Sequence, residues 1–393
     1  MKKVLVSSAL SALLVLPAAA LEVYSGDNAT LSVYGAIKGY VGMGENAHIG
    51  GPANFLFGVQ SNSNIGFDVV ADKFKAKVEF GAIENDPFGT ANGAVAPLRY
   101  LWGSYDTGLG TILIGKANTP TTDIFSTGVI NNDTALNGFG GLSTATRRLQ
   151  VQYNVAGLSL ALISDYIAEN LSGNTILESS RSNTTMPRIA LSYTIYNGSN
   201  PLFQIAGTYK RFNRWSNGIY TPGDPTANPT TSDSPGNPKD AWHISVGTKP
   251  TFGNNFVSLF GFYGKNQDLY GETGTFYNDG GWTHNAMSIN GATGEDIKRA
   301  GGKAELGIGL SKDATFTIGA GYQETKISRA EQEPLKYKSI GIFAQVPYKV
   351  SANFTLTPVV GWFQTESARG AASNTADNRI TSVVAAGRVM WSF

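Results

Sequence analysis

A period of two governs this chain from its first strand-forming segment to its last residue. Between residues 74 and 80, Phe74, Ala76, Val78 and Phe80 fall on one face and Lys75, Lys77 and Glu79 on the other. A strand produces that alternation and an amphipathic helix cannot. The pattern recurs at 31–41, 65–69, 98–104, 111–116, 148–154, 158–166 and 188–195. The second half repeats it at 203–210, 242–248, 256–263, 299–310, 315–326, 339–346, 354–364 and 381–393, for sixteen segments in all. Only 256–263 leaves its inward face ambiguous.

Alternation of this extent requires one strand face in an apolar medium and the other in water. Composition favours lipid as that medium, with 47 Gly, 17 Tyr, 20 Phe and charged residues held to 15%. An even number of antiparallel strands returns both chain ends to one side of a membrane, and closure removes the unpaired edges that hydrocarbon does not tolerate. The predicted fold class is therefore all-β, a 16-stranded antiparallel transmembrane β-barrel, wide enough to keep an aqueous channel. Aromatic residues near strand ends, among them Tyr34, Tyr100, Trp102, Tyr153, Trp242, Trp362 and Trp391, fit the interfacial girdles of such a barrel.

Connections alternate in length. Asp72-Lys73, Asp106-Thr107-Gly108, Ala156-Gly157, Asn197-Gly198, Lys312-Asp313 and Val350-Ser351 read as tight turns. The segments 42–62, 117–147, 169–187, 213–240 and 266–298 read as long loops on the opposite, extracellular side. Strands of one pattern flank the Pro/Thr/Asn-rich 213–240, so residues 21–393 read as one domain. Residues 1–20 read as a cleaved secretory leader: Lys2 and Lys3, an apolar run from Val4 to Leu16, then Pro17-Ala18-Ala19-Ala20.

Several other functions are excluded by the residues. The formal charge is +1, and loss of Lys2 and Lys3 with the leader leaves −1, with no basic cluster long enough to bind nucleic acid. No cysteine is present, and His48, His243 and His284 lack metal-ligand spacing, so neither metal nor other cofactor is expected. The string from Gly110 to Lys116 has the spacing of a phosphate-binding loop, but Ala117 replaces the required Ser or Thr and a β-branched strand replaces the flexible cradle. His243 falls on the same strand face as Ser245, which keeps a barrel-borne hydrolase among the alternatives.

The segment LWGSYDTGLGTILIGK at 101–116 resembles the general Gram-negative porins in the strand pair that precedes their third loop. The resemblance extends to LSVYGAIKGYV at the first strand, to RRLQVQYNVAGLSLAL, and to the closing VMWSF with its terminal Phe393. It implies an outer-membrane homotrimer, embedded among membrane lipid and lipopolysaccharide, that passes ions and small hydrophilic solutes by diffusion.

It also implies that the third loop, 117–147, folds into the lumen and faces a basic wall. LNGFGG at 136–141 is similar to the family's Pro-Glu-Phe-Gly-Gly motif, with Asn137 and Gly138 in place of Pro and Glu. Asp123 and Asp133 are the loop's only acids, and Arg99 and Arg148 match the wall arginines, while Asn64 replaces a third. The resemblance thus assigns the constriction to Arg99, Asp123, Asp133 and Arg148. Lys38, Lys75, Lys77 and Glu79 are further lumen-facing charges in the expected register. Arg188, Lys210, Arg299, Lys303 and Arg388 join them against Asp68, Asp165 and Glu305, which favours anions weakly. A substrate-selective channel and a barrel that merely anchors an adhesin or enzyme remain as alternatives, separable by conductance.

Overall fold

The computed structural model describes residues 20–26, 28–44, 54–60, 62–81, 97–133, 135–142, 146–164, 186–212, 239–270, 296–328, 334–366 and 379–393. Its strand segments in the first half are β1 Leu21–Ser25, β2 Thr30–Gly44, β3 Asn54–Val59, β4 Asn64–Ala71, β5 Phe74–Gly81, β6 Leu98–Asp106, β7 Thr111–Asn118, β8 Arg147–Val155, β9 Leu158–Ile163 and β10 Arg188–Asn197. Those of the second half are β11 Asn200–Phe212, β12 Lys239–Thr248, β13 Thr251–Phe252, β14 Asn255–Lys265, β15 Ile297–Gly309, β16 Thr315–Ile327, β17 Leu335–Gln345, β18 Tyr348–Lys349, β19 Phe354–Glu366 and β20 Arg379–Ser392. All pairings are antiparallel, and they join the segments into one sheet.

Four breaks explain why these segments make sixteen barrel strands. β12 and β13 continue one ladder along β14 across Lys249-Pro250, and β17 and β18 one ladder along β19 across Val346-Pro347. Proline supplies no ladder donor, so the hydrogen bonding lapses there while the register holds. β3 and β4 both lie along one edge of β2, where the pairing passes from Gly39↔Val59 to Ala36↔Asn64. That step inserts extra residues, and the turn is closed by Ser63 N–H donating to the Gln60 carbonyl at 2.9 Å.

The fourth break is the closure. On the other edge of β2, β20 covers Ala36 to Gly44, Phe393 exchanges backbone hydrogen bonds with Gly35, and β1 covers Thr30 to Val33. One strand of the barrel is thus assembled from both ends of the described chain. The chain is a closed 16-stranded antiparallel barrel, as the alternation predicts.

The two faces follow the sequence pattern. Leu101, Ile114, Leu149, Val151, Leu160, Leu191, Ile244, Val246 and Val360 are exposed on the outside, whereas Gln150, Gln152, Ser192, Thr194, Thr208 and Ser245 are buried on the inside. A continuous apolar exterior over a polar interior is the pattern of a transmembrane barrel. One predicted boundary is corrected. The expected loop 42–62 is strand at both ends of its described part, because β2 runs on to Gly44 and β3 occupies Asn54–Val59. The leader, Asp165, and most of the expected extracellular loops lie outside the described residues.

Candidate functional site

Between β7 and β8, residues 119–133 and 135–142 cross to the strands on the far side of the barrel and bond to their inward-facing side chains. Asp123 meets Lys303 of β15 at 2.7 Å. Thr127 donates its backbone N–H to Glu305 at 2.9 Å and its hydroxyl to the same carboxylate oxygen at 2.5 Å. Gln345 of β17 accepts from Val129 N–H at 2.9 Å and donates to the Thr127 carbonyl at 2.8 Å, while Tyr40 donates its hydroxyl to the Val129 carbonyl. Ser258 and Ser339 donate to the carbonyls of Phe125 and Gly138 at 2.9 and 2.7 Å.

Apolar contacts accompany these bonds. Val129, Ile130, Ala135, Leu136 and Phe139 pack with Tyr40, Phe343, Val359, Phe363 and Val384 of the wall, and the Phe139 and Phe363 rings lie 4.9 Å apart. Phe125 and Leu142 pack with Phe260 and Phe262. That second cluster explains the ambiguous segment 256–263: Phe260 and Phe262 face inward, and the loop covers them. Both faces of that strand are apolar because each meets an apolar surface.

The LNGFGG motif reaches the wall where side chains are absent. Gly140 has φ +104°, and a Cβ there would lie 2.1 Å from the Gly302 carbonyl oxygen; a Cβ on Gly321 would lie 2.0 Å from the Phe139 carbonyl oxygen. Backbone meets backbone, so glycine is required on both sides.

The two loop acids have specific partners. Asp133, at the end of the one-turn helix Ile130–Asp133, binds Lys38 at 2.6 Å, Asn62 at 2.7 Å and Arg388. The extra residues between β3 and β4 supply that Asn62, as bulges often re-aim a side chain. Burial would raise the Asp133 carboxyl, but the charges of Lys38 and Arg388, with the hydrogen bonds from Lys38 and Asn62, hold it well below the usual carboxylate range. Asp123 and Lys303 are both 1% exposed, so this pair is sealed beneath the loop. Phe125 N–H donates to the second Asp123 oxygen at 3.0 Å.

The expectation that Asp123 and Asp133 would face Arg99 and Arg148 directly therefore needs correction. Each acid is paired to a different cation, Lys303 for one and Lys38 with Arg388 for the other, because the loop lies down on that part of the wall. Arg99 instead binds Glu79 at 2.5 Å, and Glu79 also accepts from Tyr34 at 2.8 Å. The β5–β6 register shifts there, Glu79↔Tyr100 being followed by Phe80↔Leu98. Arg99 is the residue left over, and the bulge lets it reach an inward carboxylate that strict alternation would have denied it.

Lys77 binds Asp68 at 3.5 Å and lies 4.4 Å over the Tyr34 ring. Lys75, opposite Val70 and Ser104, shares the face of Lys77 and Glu79. Arg148 pairs in register with inward Ala117 and donates to the Arg147 carbonyl at 3.4 Å, and Arg147 stacks 4.7 Å over Tyr100. Lys303, Glu305 and Arg388 are legible in the sequence as inward charges, but their pairing with the loop is not, nor are the roles of Tyr40, Gln345 and Ser258. The available signal was the interruption of a polar inner face by Phe260, Phe343, Phe363 and Val384.

His243 and Ser245, the pair behind the hydrolase alternative, are not hydrogen-bonded to each other. Buried His243 exchanges a hydrogen bond with Tyr270 at 2.9 Å, and the Ser245 hydroxyl has no hydrogen-bond partner among the described residues.

No protein-family model and no curated protein matches the chain. Solved structures do. The outer membrane channel DcaP of Acinetobacter baumannii superposes with TM-score 0.64 at 13% identity, covering 95% of this chain and all of that one. The anion-selective porin from Comamonas acidovorans gives 0.57 at 12%, covering 93% and 100%. Outer-membrane expressed OmpT of Vibrio cholerae gives 0.55 at 14%, covering 95% and 100%. Likeness over such lengths at such low identity shows that this chain has the barrel fold of outer-membrane porins and channels.

Proposed function

We propose that residues 21–393 form an outer-membrane diffusion channel for ions and small hydrophilic solutes, narrowed by the segment 119–142. The observation that carries this reading is the anchoring of that segment to inward-facing residues of β2, β14, β15, β17 and β20. A chain segment laid across a closed, polar-lined barrel leaves a reduced aqueous passage beside it, and solutes are sorted there by size and charge.

In this reading Asp123 and Asp133 hold the segment down, and Arg99 and Arg148, on the strands bordering the open side, present charge to passing ions. Among the described residues the inner wall carries more cations than acids, which supports a preference for anions. Two structural neighbours offer parallels: the Comamonas acidovorans barrel is an anion-selective porin, and one Vibrio cholerae OmpT structure is a trimer form. We take a homotrimer in a lipid and lipopolysaccharide bilayer as the working state of this chain as well. Planar-bilayer recording tests the proposal: a stepwise, ohmic conductance with measurable anion preference is expected, whereas a folded barrel that conducts nothing would reduce it to an anchor.

A further inference from the structure

Tyr34, Tyr100 and Trp102 fit an outer girdle by their place near strand ends, but the register puts all three on the inner face. Tyr34 donates its hydroxyl to buried Glu79 at 2.8 Å. Across the β5–β6 ladder Tyr100 pairs with Glu79 and Trp102 with Lys77. Residues directly opposite in an antiparallel ladder share a face, and Glu79 and Lys77 face inward. Lipid headgroups therefore do not account for these rings, and a water-facing wall is an unfavourable place for a ring without a partner.

Two of the three rings have partners. The Lys77 ammonium lies 4.4 Å over the Tyr34 ring and 5.7 Å from the centre of the Tyr100 ring, and Arg147 stacks 4.7 Å over Tyr100. Trp102 differs: it is half-buried, and among the described residues its indole makes no hydrogen bond, ring stack or cation contact. Its other cross-strand neighbour is Gly115 of β7, followed in the same row by Gln150 of β8. Gly115 has φ +131°, and a Cβ there would lie 2.2 Å from the Leu101 carbonyl oxygen, so this position stays bare. The inner face beside the indole is open backbone.

A cation stands within reach. Lys75 is the diagonal neighbour of Trp102 in the same ladder, and diagonal neighbours lie about 7–8 Å apart, close enough for long side chains to meet. Lys75 is half-buried on the inner face and forms no ion pair among the described residues. The charges around it are balanced, since Lys77 binds Asp68 at 3.5 Å and Arg99 binds Glu79 at 2.5 Å. Lys75 is thus the uncompensated charge beside the open ring. Trp102 lies three residues from Arg99 along β6, about 10 Å, and Gly115 is one inward position from Ala117, the partner of Arg148. Ring and ammonium therefore border the passage beside the segment 119–142.

We propose that Trp102 and Lys75 form a subsite for ring-bearing monocarboxylates, of which benzoate is the simplest, the solute's ring stacking on the indole while its carboxylate pairs with the Lys75 ammonium. The inference rests on the reading of the chain as a diffusion channel and adds to it a class of solute held in passing. One open ring beside one uncompensated ammonium suits such an anion better than a neutral pyranose, which would leave the ammonium unused. Acetate would leave the ring unused. Stacking and a water-exposed ion pair are both modest contacts, so the solute is held weakly and leaves again, as conduction demands.

Fluorine NMR of para-fluorobenzoate with the folded, detergent-solubilised barrel tests the subsite without requiring conduction. The unmodified protein should broaden the probe's line beyond the effect of empty micelles, and excess benzoate should reverse that broadening while acetate should not. Trp102→Ala and, separately, Lys75→Gln should each reduce it by roughly threefold or more, as loss of one modest contact predicts. Trp102→Phe and Lys75→Arg, which keep a ring and a cation, should retain most of it. Heat-modifiable gel migration checks that each variant is folded. The neutral para-fluorobenzamide should be broadened far less than the acid. Equal broadening by folded Trp102→Ala and unmodified protein, or equal broadening of amide and acid, would overturn the proposal. In planar bilayers benzoate should lower the unit conductance saturably. A barrel that binds the probe and conducts nothing would count against the channel and leave the subsite standing, whereas one that conducts without broadening the probe would overturn the subsite alone.

Discussion

Asp133 joins three partners that come from distant parts of the chain, and its protonation reports on loop docking. Its carboxyl is held below the ordinary value, so the stabilisation it provides is complete above about pH 4 and is lost only as the pH falls below that range. Conductance recorded in planar bilayers should therefore be flat from neutral to mildly acidic pH and rise in strong acid as the segment loosens. Asp133→Asn should raise conductance at every pH and abolish the acid rise. A midpoint near pH 6 would point to a histidine instead. For the sealed Asp123–Lys303 pair, removal of one partner leaves a buried charge, which in such pairs costs about 3 kcal/mol or more; Glu305, 3.5 Å from Lys303, softens that for Asp123→Asn.

Arg99 and Arg148 belong to the same scale. Changing both to Glu alters the wall by four charge units. At about 0.1 M salt the Debye length is about 10 Å, so this change is felt across a narrow passage and is screened near 1 M, where it is about 3 Å. Reversal potentials in a KCl gradient should shift toward cations at low salt, with a smaller shift at high salt. An unchanged reversal potential would remove both arginines from the ion path. Both positions resemble wall residues, but only Arg148 was legible as a polar-face arginine, in phase with buried Gln150 and Gln152, whereas Arg99 is in phase with outward Leu101. The Glu79 partner of Arg99 was not legible, because it depends on a one-residue bulge that leaves no mark on a period of two.

At the scale of elements, every alternating segment became a strand, since period two is the local signature of a surface with lipid on one side. What alternation could not show is where strands break or merge. Pro250 and Pro347 interrupt hydrogen bonding without shifting register, and β1 completes a strand whose other part lies at the far end of the chain. The loop was legible in length and in its glycines, but its docking needs side chains from β2, β14, β15, β17 and β20 at once. Energetically the docking rests on contacts and not on loop length, because doubling a loop changes closure by only about 0.6 kcal/mol. Truncating one buried Phe costs about 3–5 kcal/mol. Gly321→Val should be decisive here, as its side chain would occupy the space of the Phe139 carbonyl. Folded Gly321→Val protein should show larger conductance and faster proteolysis within 119–142, and unchanged behaviour in both assays would mean that the segment does not rest on β16.

For the whole molecule, the continuous apolar exterior and the joining of both chain ends on β2 predict a barrel that resists detergent until heated. Unheated samples should migrate differently from boiled ones on a denaturing gel, and identical migration would argue against closure in solution. Truncation at Met390, which removes Trp391, Ser392 and Phe393, should weaken the closing ladder and reduce the folded fraction. The most direct measurement of the central claim is single-channel conductance of the intact protein beside a folded variant lacking residues 127–141. An inward-anchored segment predicts a severalfold larger conductance and a higher size limit for neutral sugars in the deletion variant; equal conductance and an equal size limit would place that segment outside the path of solutes.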